Sequence, residues 1–332
     1  MGKIGIIGAT GMLGHHTAKA VLATGTHQLT VIHRATSNLE HIKDLDFESR
    51  VGDLTDRSSL FKAFDGLDHV LNCGAYYPTV PKPLQEELAI ADKQISNFIE
   101  AVAHCKIKKG LYLGGAIAIP KATSGPGHES LVYQSLPSNA SAYAQVKVLM
   151  DKKVREAGAK GIPIVIGIPP MTFGEYDYGP TTGRLIVHAL NRTLPGYVGG
   201  DRNVVYAGDA GRGMLLACMN GRPGERYLIT GVNINMTALI EKIGIIGGVT
   251  DMPKKVPLSL AKLLSKVKMT RYKWFGGELP LLDDTAIAVM SAGQFLDGSK
   301  AKKELGYKPQ VGIDEMIQKT ISWFKEVGYI DG

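Results

Sequence analysis

Ile4-Gly5-Ile6-Ile7-Gly8-Ala9-Thr10-Gly11-Met12-Leu13-Gly14 is the stretch whose reading decides the fold. A β-branched run breaks at Gly8 into a glycine-rich turn, and a helix starts near Met12. A glycine at the strand end can turn at φ > 0, a second lets a pyrophosphate approach bare backbone, and a third lets helix and strand pack closely. The helix N-terminus adds unpaired N–H groups and the positive end of a dipole. Glycines cluster in many turns, but this one lies between a strand pattern and a helix pattern at the head of an α/β chain. That context favours a dinucleotide, with Gly8, Thr10, Gly11, Met12 and Leu13 as the backbone that meets its phosphates.

The second strand pattern, Leu29 to Ile32, closes on His33-Arg34. An acid about 20 residues past such a motif holds a ribose 2′-hydroxyl, whereas an Arg suits a 2′-phosphate. No acid is present there and Arg34 is, so NADP(H) is expected over NAD(H). Arg34 can fork two hydrogen bonds onto phosphate, and a protonated His33 adds a third donor. Next, Arg50 to Asp56 reads as a third strand ending in a turn, with Asp56 capping a helix over Ser58 to Phe64. Asp53, followed by Leu54, could accept from the adenine amino group or from turn amides, and spacing leaves both open. A fourth strand runs from Asp68 and ends in Cys73-Gly74-Ala75, small residues that leave space for a ligand.

After a loop with three prolines, Tyr76 to Pro83, a long helix is expected over Leu84 to His104. The fifth strand, Gly110 to Leu113, ends in Gly114-Gly115-Ala116. A Gly/Pro/Ser loop from Pro120 to Ser141 leads to a helix carrying Tyr143-Ala144-Gln145-Val146-Lys147. Residues four apart share a helix face, so the Lys147 ammonium is expected to lower the pKa of the Tyr143 phenol and make it a proton donor and acceptor.

With these residues the sequence resembles the extended short-chain dehydrogenase/reductase superfamily, and within it the dihydroflavonol 4-reductase-like group and its epimerase/dehydratase relatives. The resemblance spans nearly the whole chain. It rests on GATGMLG at Gly8 to Gly14, GDLTD at Gly52 to Asp56, NCGA at Asn72 to Ala75, YAQVK at Tyr143 to Lys147, and IPPMTFG at Ile168 to Gly174. DGSKAKKELGYKP at Asp297 to Pro309 and Ile321-Ser322-Trp323-Phe324 match the group's C-terminal signature. The resemblance implies an α/β fold: a Rossmann doubly wound parallel sheet with a smaller, discontinuous C-terminal substrate domain. It implies Tyr143 as proton donor to a carbonyl, Lys147 on the nicotinamide ribose, and Pro169 beside the nicotinamide carboxamide. Asn97 matches a position that is often Asn. One departure stands out: the Ser or Thr that usually ends the fifth strand and polarises the carbonyl is Gly115 here. Losing such a donor typically costs about two to three decades in rate. Ser124, Ser141 and Tyr77 lie in loops that could supply a hydroxyl.

Composition narrows the class. The 332 residues are 44% hydrophobic and 21% charged, ordinary for a chain with a full core. No run approaches the roughly 18 apolar residues of a membrane span, and no signal-peptide layout opens the sequence, so a cytoplasmic location is expected. Cys73, Cys105 and Cys218 are too widely spaced for a disulfide framework or a zinc site, and the nine histidines show no metal-ligand spacing. His15 and His16 are read as surface or packing residues, and no metal is expected. Lys254, Lys255, Lys262, Lys266, Lys268, Arg271 and Lys273 form a segment without an acid, equal to the whole net charge of +7. The remainder is balanced, so nucleic acid is not expected as a partner. The segment itself reads as a solvated helix face, with a membrane surface or an acidic substrate as alternatives.

In the second half, Gly161 to Ile168 reads as the sixth strand, and Tyr176, Tyr178, Pro180, Thr181, Thr182 and Arg184 as a loop facing substrate ahead of an apolar helix, Leu185 to Leu190. Asn203 to Tyr206 and Asp209-Ala210-Gly211-Arg212 read as a strand and helix start that return the chain to the cofactor core, and Glu225 to Thr230 as a further strand. Gly244 to Val249 imitates the first motif but follows a helix, Met236 to Ile243, and so reads as its C-cap and turn. The expected division is a dinucleotide-binding core over 1–170 with a returning segment at about 200–220, and a substrate-binding portion from 171–199 and 221–332. The expected activity is NADPH-dependent reduction of a carbonyl on a small, partly apolar or aromatic substrate. The alternatives are a nucleotide-sugar epimerase or dehydratase that recycles its cofactor, and a non-catalytic NADP-binding sensor, which Gly115 would permit. Helices after strands four and five often pair in this superfamily, which leaves a homodimer open.

Overall fold

Seven parallel strands, β1 (Gly2–Ile7), β2 (His27–His33), β3 (Glu48–Val51), β4 (His69–Asn72), β5 (Lys109–Leu113), β6 (Ile164–Ile168) and β10 (Arg226–Leu228), form the central sheet in the order β10-β6-β5-β4-β1-β2-β3. The computed structural model describes residues 2–74, 76–78, 82–276, 280 and 284–330. Strand order reverses between β1 and β4, the point where ligands of doubly wound sheets bind beyond the strands' C-terminal ends. Pairing of Ile7 with Asn72 brings Gly8 and Cys73 to that edge together. Every residue of β6 is buried, as expected for a strand covered on both faces.

On one face lie α2 (Arg57–Phe64), α3 (Leu84–His104) and α4 (Ala142–Ala159), burying Phe64, Phe98, Met150 and Val154 against Tyr112 and Ile166. On the other lie α1 (Met12–Ala23) and α6 (Ala207–Asn220), burying Ala18, Val21, Met214 and Cys218 against Ile4, Val31 and Leu111. A third cluster unites α5 (Arg184–Leu190), α7 (Met236–Gly247) and α11 (Ile313–Glu326) through Ile186, Leu239, Ile243, Ile317 and Phe324. Two small sheets stiffen this part: β7 (Met171–Phe173) with β9 (Asp201–Tyr206) and β11 (Val232–Asn235), and β8 (Tyr197–Val198) with β12 (Lys255–Val256). The helices α8 (Leu258–Phe275), α9 (Asp284–Ala292) and α10 (Ser299–Leu305) complete the described α-helices.

The long helix spans the expected residues, and Asp56 caps α2 by accepting from the Ser58 amide at 3.0 Å. Gly244 lies inside α7 rather than at its end, and the cap is Gly248 at φ 71°, a left-handed conformation natural to glycine. The strands of two to four residues, β7, β8, β11 and β12, were not expected, because an alternation needs more residues than they contain.

A buried ion pair ties β10 to α4. Arg226 Nε donates to Asp151 Oδ1 at 2.8 Å and a second nitrogen reaches Asp151 Oδ2. The same guanidinium donates to the carbonyls of Glu129 at 3.2 Å and Leu131 at 2.7 Å, so it orders the loop that leads into α4. Removing one partner of such a pair leaves an uncompensated buried charge. Asp151→Ala is therefore expected to lower stability by about 3–5 kcal/mol in denaturant unfolding.

Candidate active site

The glycine turn is held by contacts that exclude side chains. A Cβ on Gly14 would stand 2.0 Å from the Gly8 carbonyl oxygen, and one on Gly8, whose φ is +83°, would meet the Gly74 amide at 2.6 Å. Gly11 differs: its Cβ would meet only the Gly8 oxygen, at 3.6 Å, and the residue is exposed. Gly11 caps α1 without a side chain, and the first turn carries no acid, so the amides of its first turn are unmatched donors beside Thr10, Met12 and Leu13. Unmatched amides of this kind are suited to an anion.

At the end of β2, Arg34 is exposed and none of the described hydrogen bonds engages its guanidinium. His33 is placed otherwise than expected: Nδ1 lies 2.9 Å from the Arg34 carbonyl and Nε2 lies 2.7 Å from Ser49 Oγ. One ring nitrogen is spent on the adjacent carbonyl and the other on Ser49 of the neighbouring strand β3. Asp53 resolves toward the turn, since Oδ1 accepts from the Thr55 amide at 2.7 Å and the Thr55 hydroxyl at 2.8 Å. Asn97 of α3 donates to the Leu54 carbonyl at 2.8 Å and so fixes that same turn.

The ends of β4 and β5 lie next to it. Gly74 packs on Ile7 and Gly8, where a Cβ would come within 3.2 Å of Ile7 Cγ2. The Cys73 thiol faces Thr17 Oγ1 at 3.9 Å and burial pushes its pKa up to about 12, so it is an inert filler. Ala75 lies outside the described residues. A Cβ on Gly115 would stand 3.6 Å from the Tyr143 hydroxyl and 3.4 Å from Lys147 Cγ. Gly115, Tyr143 and Lys147 therefore meet at one point, and Pro169 is buried just beyond β6. Ser141 spends its oxygen as the cap of α4, accepting from the Ala144 amide at 3.2 Å, and Ser124 is exposed. The Tyr77 ring packs against the Tyr143 ring, with centroids 4.8 Å apart and planes tilted by 55°.

A model of the NAD dependent epimerase/dehydratase family matches residues 4–230. The chain belongs to that family. A nucleoside-diphosphate-sugar epimerase from Pseudomonas aeruginosa shares its fold over 99% of both chains, with 38% identity and a TM-score of 0.86. A protein of Synechocystis assigned as a dihydroflavonol 4-reductase is 25% identical over 98% of this chain and 95% of its own. Sterol demethylase protein B of Methylococcus capsulatus is 23% identical over 98% of this chain and 99% of its own. Epimerases, dehydratases and reductases of this extended short-chain dehydrogenase/reductase group are built on the same Rossmann-like sheet.

Within this family frame two expectations need correction. The first concerns the tyrosines of the loop before α5. Tyr176 stacks on His15 at 3.7 Å, Tyr178 stacks on His41 at 3.9 Å, and Tyr178 meets Trp323 edge-on at 5.1 Å. Lys19 of α1 donates to the Tyr176 hydroxyl at 2.9 Å. These rings join His15 of α1 and His41 to Trp323 of α11, so they are spent on packing between these elements. His15 and His16 are buried packing residues rather than surface ones, at 1% and 6% exposure.

The second concerns the Tyr143 pKa. Burial pushes the phenol well above the ordinary tyrosine value, and Tyr77 pushes it the same way. The expected lowering by Lys147 is not found: the ammonium sits 5.9 Å from the ring centre and is itself buried. Burial pushes Lys147 down to about 8 from its ordinary 10.5. An unfolded chain then holds more protons than the folded one between these two values, so this residue's contribution to stability rises with pH there and its burial penalty is complete below about 8. Relative to Lys147→Met, the cofactor-free wild type is expected to be least stable below pH 8 and to recover toward pH 10, read by urea unfolding across that range. A difference that stays flat with pH would contradict a buried, charged Lys147.

Proposed function

We propose that this chain is an NADPH-dependent reductase of a carbonyl on a small, partly apolar or aromatic substrate. The observation that carries the proposal is the meeting of Tyr143 and Lys147 with the end of β5, beside the backbone anion site at Gly8 to Leu13. The bound cofactor supplies hydride to the carbonyl carbon. Tyr143 hydrogen-bonds the carbonyl oxygen and passes it a proton, while Lys147 holds the nicotinamide ribose and offsets charge on the phenolate oxygen as the proton leaves. Amides at Met12 and Leu13 hold the pyrophosphate, with Gly8, Thr10 and Gly11 shaping the turn, where the Gly11 amide donates to the Gly8 carbonyl at 3.1 Å. Arg34 takes the 2′-phosphate, Asp53 and Leu54 border the adenine, and Cys73, Gly74 and Pro169 wall the nicotinamide side. The likeness to a dihydroflavonol 4-reductase and to a sterol-demethylase protein supports an apolar, ring-bearing substrate.

Tyr77 takes the place of the missing strand-five hydroxyl in this reading. Its loop is anchored on both sides by one buried carboxylate, since the Tyr76 hydroxyl and the Lys82 amide both donate to Glu87, the latter at 3.1 Å. The neutral phenol donates a hydrogen bond to the oxygen on which charge develops, and Gly115 leaves the space for it.

The likeness to a nucleoside-diphosphate-sugar epimerase supports a second reading, in which the cofactor is reduced and reoxidised within one turnover. Such an enzyme purifies with nicotinamide bound and consumes no NADPH, whereas the reductase oxidises NADPH in proportion to carbonyl reduced. Tyr143→Phe is expected to abolish turnover and leave NADPH binding nearly intact, and undiminished turnover rejects the assignment. Arg34→Glu should weaken NADPH far more than NADH in fluorescence titrations; equal losses remove Arg34 from the 2′-phosphate. Tyr77→Phe should lower kcat about 100- to 1,000-fold, and adding Gly115→Ser to that variant should recover part of the loss. An unchanged kcat in Tyr77→Phe assigns the second donor elsewhere.

A further inference from the structure

Helix α8 presents its large apolar side chains outward. Leu260, Leu263, Leu264, Val267, Trp274 and Phe275 are all exposed, Leu263 to 59%, Val267 to 60%, and Trp274 and Phe275 each to 79%. At 3.6 residues per turn these six positions fall within an arc of about 120°. The inward face carries Ala261, Ser265 and Met269, spaced by four and buried to within 3% of full. A packing helix in water normally shows the opposite pattern, with its large apolar stripe turned to the core. Arg271 enters the same arc between Val267 and Trp274, and an exposed stripe this rich in large apolar side chains marks a place where something docks.

Charge identifies the occupant. The segment from Met252 to Gly277 contains no acid, and Lys254, Lys255, Lys262, Lys266, Lys268 and Arg271 are all exposed. None of them forms an ion pair with another described residue. A second copy of the chain laid against this face about a two-fold axis would set these cations against an identical set, with no carboxylate in the segment to relieve them. An anionic lipid surface meets both requirements at once, taking the apolar stripe into the acyl boundary and the cations onto its headgroups. Trp274 and Phe275 close the stripe with aromatic rings of the kind that settle at such an interface. No described helix is long and apolar enough to cross a membrane, so the mode is lying on the surface.

We propose that α8 is an interfacial helix that docks this enzyme on anionic membranes. The placement has a consequence for the site, because α9 packs against both α8 and α4. A docked α8 holds the Tyr143 helix one helical layer from the lipid, where an apolar substrate dissolved in the membrane is within reach. Docking itself does not depend on which reaction the site performs.

The test is sedimentation of the full chain with vesicles of equal parts phosphatidylglycerol and phosphatidylcholine, and with phosphatidylcholine alone, at low and high salt. Wild type should bind the anionic vesicles at least about tenfold more tightly than the neutral ones, and high salt should weaken that binding. The combined variant Leu263→Glu, Val267→Glu and Trp274→Glu should lose binding with its thermal unfolding unchanged, since all three positions are exposed. Should that variant fold poorly, Lys262→Ala with Lys266→Ala and Lys268→Ala should remove the preference for anionic lipid. The proposal is overturned by a wild type that ignores both vesicles or binds them equally. It is also overturned by retained binding in the glutamate variant, or by a wild-type dimer that this variant splits with no vesicle binding in either protein.

Discussion

Backbone pressed against backbone at the glycine turn is the constraint on which the rest of the site depends. Gly14 lies under the Gly8 carbonyl at a distance where a Cβ would be 2.0 Å from the oxygen, and Gly8 lies against the Gly74 amide. These contacts pull α1 onto β1 and β1 onto the end of β4, so the unmatched helix amides and the small residues ending β4 share one edge. Any side chain at Gly8 or Gly14 would have to displace main chain rather than a flexible neighbour, because the atoms it meets belong to the turn itself.

Helix α4 carries the opposite kind of constraint. Tyr143, Lys147 and Asp151 follow at intervals of four and share its inward face, so three groups that prefer water are held against the sheet. Asp151 is compensated by Arg226, and that pair also orders the loop entering the helix. Lys147 makes no described hydrogen bond and has its pKa depressed by burial. Such a residue is destabilising in the protein by itself, a cost of the kind found where stability is exchanged for function.

Much of this was legible beforehand because it depends on local chemistry. The glycine turn, the Asp56 cap, the twenty-one residues of α3 and the Tyr143–Lys147 spacing each follow from residues close in sequence. The misplaced parts depend on partners far away. Tyr176 and Tyr178 in a Gly/Pro loop resemble substrate contacts until His15, His41 and Trp323 arrive from distant elements to stack on them. His33 resembles a phosphate donor until Ser49, on the neighbouring strand, takes its second nitrogen. Glu87 carries no signal beyond that of an acid in a first helical turn, yet it anchors the loop bearing Tyr77.

The sequence by itself determined the doubly wound sheet and the family, since periodicity, caps and glycine turns are properties of neighbouring residues. It also determined that the usual strand-five hydroxyl is absent, because Gly115 has no side chain to supply it. Only the tertiary structure decided that the Tyr77 ring packs on Tyr143, which way the apolar side chains of α8 face, and what burial does to Lys147. Each of these is a property of the surroundings a side chain is folded into, and surroundings are assembled from segments that the chain order keeps far apart.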